Sequence, residues 1–169
     1  DNYHLRRLVS EGTRPKLPWA KAITLQPEEA LPLLDQLHGD ATRYVTRSVA
    51  NHLNDVAKIA PELVIESLIR WRERGVQTEK ELNWMARHAL RTLVKQGHKE
   101  ALELLGYRSD APVELVQFEL VRDRLHIGEA LELQVRLAAS QKTPVLVDYL
   151  IRFHRPSGRS AQKVYKLRQ

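Results

Sequence analysis

The apolar positions along the chain follow two different periods. In the first two thirds of the sequence they recur every three or four residues, which is the spacing of an amphipathic helix. After about residue 112, apolar and polar residues alternate, most clearly over 113–120, and this alternation is typical of a strand. The pattern predicts an α+β, multi-domain chain, with a helical domain over 1–108 and a β domain over 112–169.

Glycine, proline and capping residues divide the helical part into six predicted helices. They span 2–11, 27–38, 42–59, 62–74, 78–96 and 98–105. The helix over 78–96 is predicted to begin at a capping box, in which Thr78 and Glu81 exchange hydrogen bonds. The segment 15–19 (Pro-Lys-Leu-Pro-Trp) contains too much proline for a helix and is predicted to form an ordered loop.

The β part contains four alternating segments, at 113–120, 131–137, 145–153 and 163–167. Turn residues separate them, so an antiparallel β-sandwich is predicted. Four strands are few for a closed sandwich, and the first helix of the chain lacks the helix with which it should pair. The sequence is therefore expected to be a fragment that is truncated at both ends.

One motif occurs three times in the helical part: an aromatic residue, an arginine three positions later, and an apolar helical run. The copies are Tyr3 with Arg6, Tyr44 with Arg47, and Trp84 with Arg87. They are 41 and 40 residues apart, and a period near 40 with two helices per unit is typical of HEAT-like repeats. Stacked repeats would place the three arginines, here called the arginine column, in one row along a solenoid.

The arginine column (Arg6, Arg47 and Arg87) has two interpretations. Arginines of HEAT repeats can bond carbonyl groups or carboxylates of the neighbouring repeat, which is a purely structural role. A row of guanidiniums along a groove would also suit a phosphate backbone, through charge and bidentate hydrogen bonds. Arg7 and Arg91 lie beside the column in the sequence and slightly favour the second interpretation.

Charge and composition permit a polyanionic partner and exclude several kinds of site. The chain has 27 basic and 21 acidic residues, and residues 111–169 hold 10 and 6 of them. The absence of cysteine excludes disulfides, thiolate zinc sites and a thiol nucleophile. No metal-ligand spacing and no glycine-rich phosphate loop occur, so neither a metal nor a cofactor is predicted.

No apolar run approaches the roughly 20 residues of a membrane span, and a monomeric cytoplasmic protein is expected.

Three residues are candidates for chemistry. Glu11 lies at the C-terminal end of a predicted helix, where the helix dipole disfavours a carboxylate. Trp19 lies in the proline-rich loop that follows; an indole there is more often a core residue, but beside a carboxylate it would suit a cationic ligand. Asp55 shares a helix face with Asn51 and is a second candidate carboxylate, although Asn and Asp at such places often serve only to bond nearby loops.

Three longer segments carry a family resemblance. Residues 8–19 (Leu-Val-Ser-Glu-Gly-Thr-Arg-Pro-Lys-Leu-Pro-Trp), 47–55 (Arg-Ser-Val-Ala-Asn-His-Leu-Asn-Asp) and 84–98, which begins Trp-Met-Ala-Arg-His-Ala-Leu-Arg, resemble the DNA alkylation repair family of HEAT-like-repeat DNA glycosylases. The β part is similar to the AlkC-like branch, which carries an immunoglobulin-like (Ig-like) domain after its repeats. The resemblance extends over the whole chain, although for the β part it is only architectural.

The resemblance implies a function. Such a protein hydrolyses the N-glycosidic bond of cationic N3-alkylated bases, 3-methyladenine and 3-methylcytosine, in double-stranded DNA, without the full base extrusion that most glycosylases use. It implies that Glu11, Trp19 and Asp55 are catalytic. DNA contacts would come from arginines along the repeats: Arg6, Arg14, Arg47, Arg87 and Arg91. The preceding repeats of the family are not in this sequence, so the segment alone is not expected to be fully active.

A non-enzymatic alternative is a HEAT-repeat scaffold that binds nucleic acid or protein, because a fold does not determine a function. Glu11 and Trp19 distinguish the two, since a scaffold does not need a carboxylate and an indole that converge on a groove.

Overall fold

The computed structural model describes residues 2–17 and 23–168. The chain forms two compact units, of which the first ends at Gly106 and the second begins at Tyr107. The domain limits of 1–108 and 112–169 remain a prediction about where each unit folds independently.

Seven helices form the described part of the first unit. They are α1 (Tyr3–Gly12), α2 (Pro27–Leu37), α3 (Arg43–Val56), α4 (Pro61–Arg74), α5 (Glu79–Ala89), α6 (Arg91–Gln96) and α7 (Lys99–Leu104). Local chemistry explains several of their ends. The Asn2 side chain accepts the His4 N–H at 2.8 Å at the start of α1, and Gly75 ends α4 in the left-handed conformation that glycine adopts without strain.

The helices pack in two layers. In one layer α3 lies between α1 and α5, and in the other α2 contacts α4. The core between the layers contains fully buried side chains that include Leu34, Val49, Leu53, Trp71 and Met85. Burial of one such side chain is worth about 1.5–3 kcal/mol, so this core is the main source of stability for the first unit.

The prediction of one continuous helix over 78–96 is wrong, because the helix is interrupted at Leu90. Leu90 has φ −88° and ψ 2°, and it separates α5 from α6. The Arg91 guanidinium donates to the His88 carbonyl, an acceptor that an uninterrupted helix would use for its own backbone. Leu90 itself is fully buried, so the bend places an apolar residue in the core.

The predicted capping box at Thr78 is only half formed. The Thr78 hydroxyl accepts the Glu81 N–H at 3.3 Å. The Glu81 carboxylate instead bonds Thr46 and Arg43 of α3. Glu81 therefore links α5 to α3 rather than capping its own helix.

The second unit contains two antiparallel pairs of strands in its described part. They are β1 (Val113–Leu120) with β2 (Leu133–Ala139), and β3 (Val147–His154) with β4 (Ser160–Arg168). Each predicted strand is present, and β1 has the predicted bounds. The prediction for β4 began too late, because the turn closed by Arg155 and Arg159 lets the ladder begin at Ser160. The predicted order of a helical region followed by antiparallel strands is confirmed.

The described part of the chain contains no helix that could cross a membrane.

Candidate active site

Two of the predicted catalytic residues meet at one guanidinium. Glu11 is near the end of α1 and Asp55 near the end of α3, and Arg14 lies between them. Arg14 Nη1 donates to Glu11 Oε2 at 2.8 Å, while its Nε and Nη2 donate to Asp55 Oδ2 at 2.9 and 2.6 Å. We call Glu11, Arg14 and Asp55 the carboxylate cluster. Because α1 and α3 pack side by side, residues 41 positions apart form one site.

The remaining carboxylate oxygens of the cluster bind two outer cations. Arg7 Nη2 lies 2.9 Å from Glu11 Oε1, and Lys58 Nζ lies 2.9 Å from Asp55 Oδ1. The side chains of Arg14 and Asp55 are only 11% and 8% exposed, whereas that of Lys58 is 49% exposed. The cluster therefore has a buried cation at its centre and more accessible cations at its edge.

The charge of Arg14 is secured by its two partners. Burial would lower the pKa of Arg14, but the hydrogen bonds to Glu11 and Asp55 outweigh it and raise the pKa above its ordinary value. A guanidinium of this kind stays charged at every physiological pH. The cluster thus holds two carboxylates around a permanent positive charge.

A buried histidine fixes the position of α1 beside α3. His52 Nδ1 lies 3.0 Å from the carbonyl oxygen of Ser10, so Nδ1–H donates to it. Burial lowers the pKa of His52, which is therefore neutral. Ser10 precedes Glu11, so this bond fixes the backbone from which the Glu11 side chain extends. The sequence did not predict this role; a polar residue in an apolar helix stripe was the available signal.

The arginine column divides into two kinds of residue. Arg6 Nε donates to Asp40 Oδ2 at 2.5 Å, and Asp40 also accepts from Thr42. Burial would raise the pKa of Asp40, but the bonds from Arg6 and Thr42 hold it below its ordinary value. Arg47 and Arg87 are exposed and have no carboxylate partner within 2–17 and 23–168. Arg6 thus matches the structural interpretation, and the other two leave their guanidiniums accessible.

Arg91 lies beside the carboxylate cluster. Its guanidinium donates to the His88 carbonyl and, at 3.2 Å, to Asn51 Oδ1. Burial lowers its pKa, and the charges of Asp55 and Arg14 act on it in opposite directions. Arg91 is therefore held between α3 and α5 rather than extended into solvent.

Arginine and aromatic residues stack across the repeats. The Arg7 guanidinium lies 4.3 Å from the ring centroid of Tyr44, and that of Arg43 lies 3.9 Å from the ring centroid of Trp84. The stacked arginines are therefore not those of the column, although Arg7 is next to Arg6 in the sequence. Each such contact joins one repeat to the next.

Trp19, the third predicted catalytic residue, lies outside the described residues. Within the described ranges there is no group of three or more histidine, aspartate or glutamate residues that could hold a metal ion.

Comparisons with known proteins show what the chain is similar to. A family model described as "Uncharacterised protein YhaZ, C-terminal Ig-like domain" matches residues 114–169. The uncharacterized protein YhaZ of Bacillus subtilis (strain 168) is 38% identical over 169 residues, which cover 98% of this chain and 46% of that protein. A solved structure of the Pseudomonas fluorescens alkylpurine DNA glycosylase AlkC, bound to DNA containing an abasic site analog, superposes with a TM-score of 0.87 at 39% identity. The chain is thus similar to AlkC and to YhaZ over almost its whole length.

This similarity to AlkC and YhaZ confirms the resemblance seen in the sequence. The match to AlkC covers 99% of this chain and 47% of that chain, so the chain spans about half the length of these relatives. The helical region has the HEAT-like fold of AlkC, and the β region is an Ig-like domain.

Proposed function

We propose that the full-length protein is a DNA repair glycosylase that hydrolyses the N-glycosidic bond of cationic N3-alkylated bases, chiefly 3-methyladenine and also 3-methylcytosine. The observation that carries the proposal is the likeness to the DNA-bound AlkC structure at 39% identity over nearly the whole chain. Its partner would be double-stranded DNA that carries such lesions, without a cofactor. The expected monomeric state and cytoplasmic location belong to the same proposal.

The carboxylate cluster suits this chemistry. A cationic alkylated base is already a good leaving group, so its departure needs little acid catalysis. The sugar becomes positively charged as the bond breaks, and a preorganised carboxylate stabilises that charge in the transition state. Glu11 and Asp55 lie on two sides of Arg14, and either could act on the sugar or orient the attacking water. Trp19 would supply an aromatic face for the cationic base.

The five arginines proposed to contact DNA fall into two groups. Arg47 and Arg87 are exposed, so we assign phosphate contacts to them first. Arg6, Arg14 and Arg91 already donate to protein acceptors. For these three, a phosphate contact requires the exchange of an existing partner.

The decisive experiment is Glu11→Gln in the full-length protein. The amide keeps the size of the side chain but removes its charge, so release of free 3-methyladenine from methylated DNA should slow on the order of 100-fold, while DNA binding persists. Glu28→Gln is the matched control, because Glu28 is exposed near the start of α2. Unchanged release by the Glu11 variant would remove that residue from the mechanism.

The alternative is a non-enzymatic scaffold that binds nucleic acid or protein. It draws on one observation: every oxygen of the two carboxylates is paired with a cation. Such a network could serve only to join α1 to α3. In that case the wild-type protein releases no base from methylated DNA, and Glu11→Gln lowers only the melting temperature.

A further inference from the structure

Arg14 bonds one oxygen of each carboxylate and leaves the other oxygen of each to a different partner. Its Nη1 donates to Glu11 Oε2, and its Nε and Nη2 both donate to Asp55 Oδ2. A planar guanidinium fixes the direction of every N–H that it donates. The orientation of both carboxylates is therefore set by one side chain.

The two oxygens that Arg14 does not bond are held by cations that are more exposed than Arg14. Glu11 Oε1 is bonded by Arg7, whose side chain is 26% exposed, and Asp55 Oδ1 by Lys58, which is 49% exposed. The Lys58 pair is at an exposed position, where ion pairs are weak and DNA phosphates compete for the cation. Arg7 is also held by the carbonyl and the ring of Tyr44, so the proposal requires the substrate to displace it from Glu11 Oε1. Arg14 is 11% exposed and has two carboxylate partners, so it stays in place when the outer cations exchange.

We propose that Arg14 is the positioning residue of the active site: it holds Glu11 Oε2 and Asp55 Oδ2 and presents Glu11 Oε1 and Asp55 Oδ1 to the substrate. Arg14 does not touch the base or the phosphates. This role rests on the proposed glycosylase function. It also replaces the prediction that Arg14 binds DNA, because three of the five N–H donors of its guanidinium already bond the two carboxylates.

The role of Arg14 predicts a defect in rate rather than in binding. In Arg14→Ala the carboxylates lose their common donor and repel each other. A misplacement of catalytic groups by about 1 Å costs on the order of 100-fold, and we expect a fall of that size in the single-turnover rate at saturating enzyme. The Kd for DNA should not change. Guanidinium ion added at a low, non-denaturing concentration should restore part of the rate, whereas tetramethylammonium at equal ionic strength should not.

Two further variants sharpen the test. Arg70→Ala also removes an arginine–carboxylate pair, with Asp35, but away from the cluster, so its single-turnover rate should match the wild type. Arg14→Lys keeps the charge but has a single nitrogen in place of the planar fork. This variant should fold, but its single-turnover rate should be lower than that of the wild type.

Each contrary result has a distinct meaning. A weaker Kd with an unchanged rate would make Arg14 a phosphate contact and overturn the proposal. An unchanged rate in Arg14→Ala, a full rate in Arg14→Lys, or a slow rate that guanidinium does not restore would overturn it as well. All of these leave the wild-type enzyme active. Failure of the glycosylase function itself is separate, because then the wild-type protein releases no base.

Discussion

At the scale of single residues, His88 lies in surroundings that favour its neutral form. Its Nε2–H donates to Asn51 Oδ1 at 2.9 Å, and its ring stacks on Trp84 at 4.9 Å between centroids. Burial, together with the positive charges of Arg91, Arg47 and Arg43, lowers the pKa of His88 to about 4. Protonation would place a cation among these arginines.

This histidine should make the protein less stable in mild acid. The folded pKa is about 4 and the unfolded value about 6.5, so the unfolded chain binds more protons between these values. Stability from this group is complete above pH ~6.5 and is lost as the pH falls toward 4, by about 2 kcal/mol at pH 5.

Urea unfolding of the full-length protein at pH 7.5 and pH 5 tests the effect of His88. We expect His88→Gln, which keeps an N–H donor for Asn51, to lose less stability between these conditions than the wild type. His38 and His52, whose pKa values burial also lowers, are present in both proteins and cancel in the comparison. Equal losses would show that His88 is not the group that titrates.

The sequence singled out Glu11, Asp55 and Arg14, but it assigned Arg14 to DNA and did not predict that Arg14 joins the two carboxylates. Arg14 and Asp55 are separated by 41 residues, which is one repeat. Their opposite charges at equivalent positions were therefore a usable signal. That signal becomes a contact only when α1 packs beside α3, and the hydrophobic period indicates which face of a helix is buried but not which side chains meet across it.

At the scale of helices, α3 is joined to its neighbours by polar contacts at about the repeat spacing. Asn54 accepts from Thr92 at 2.9 Å, and Glu81 accepts from Thr46 at 2.6 Å. These contacts explain why local sequence rules misjudged α5. The capping rule assigned Glu81 to its own helix, whereas a buried hydroxyl one repeat earlier competes for the same carboxylate.

Glu81 should therefore contribute to stability through α3. Thr46 is fully buried, so Glu81→Ala leaves its hydroxyl without an acceptor and should cost about 1–3 kcal/mol of unfolding free energy. Glu79→Ala is the matched control, because Glu79 is exposed in the same helical turn, and its effect should stay within about 0.5 kcal/mol.

A double-mutant cycle with Thr46→Val tests whether Glu81 acts through its contact with α3. If the α3 contact dominates, the loss caused by Glu81→Ala shrinks once the Thr46 hydroxyl is gone. If Glu81 acts only within its own helix, the loss is independent of Thr46. Urea denaturation of the single and double variants measures the coupling.

At the scale of the whole molecule, the change of hydrophobic period predicted the change from helices to strands. It did not predict how the strands pair, because a period of two identifies the two faces of a strand but not its neighbour. Fully buried residues in the described part of the chain all belong to the first unit. In the second unit large apolar side chains such as Phe118, Leu150 and Phe153 are 44–58% exposed. The apolar pattern of this unit therefore identifies fewer buried positions from which strand pairing could be predicted.

The second unit carries an excess of positive charge that has two interpretations: contact with DNA, or the solvent face of a domain that only caps the solenoid. Residues 111–169 hold 10 basic and 6 acidic residues. Four exposed arginines, Arg122, Arg124, Arg152 and Arg155, have no carboxylate partner among the residues that the structure describes. Unpaired surface guanidiniums of this kind favour the DNA interpretation.

Replacement of Arg152 and Arg155 by glutamine in the full-length protein tests that interpretation. Each lost phosphate contact should reduce the slope of log K for DNA against log salt concentration by about 0.9, and the melting temperature should not change. The pair Arg122→Gln and Arg124→Gln examines a second surface in the same way. If neither pair changes the slope, while deletion of 111–169 lowers the melting temperature and solubility, the unit is a cap, because a cap acts by covering apolar surface rather than through charge.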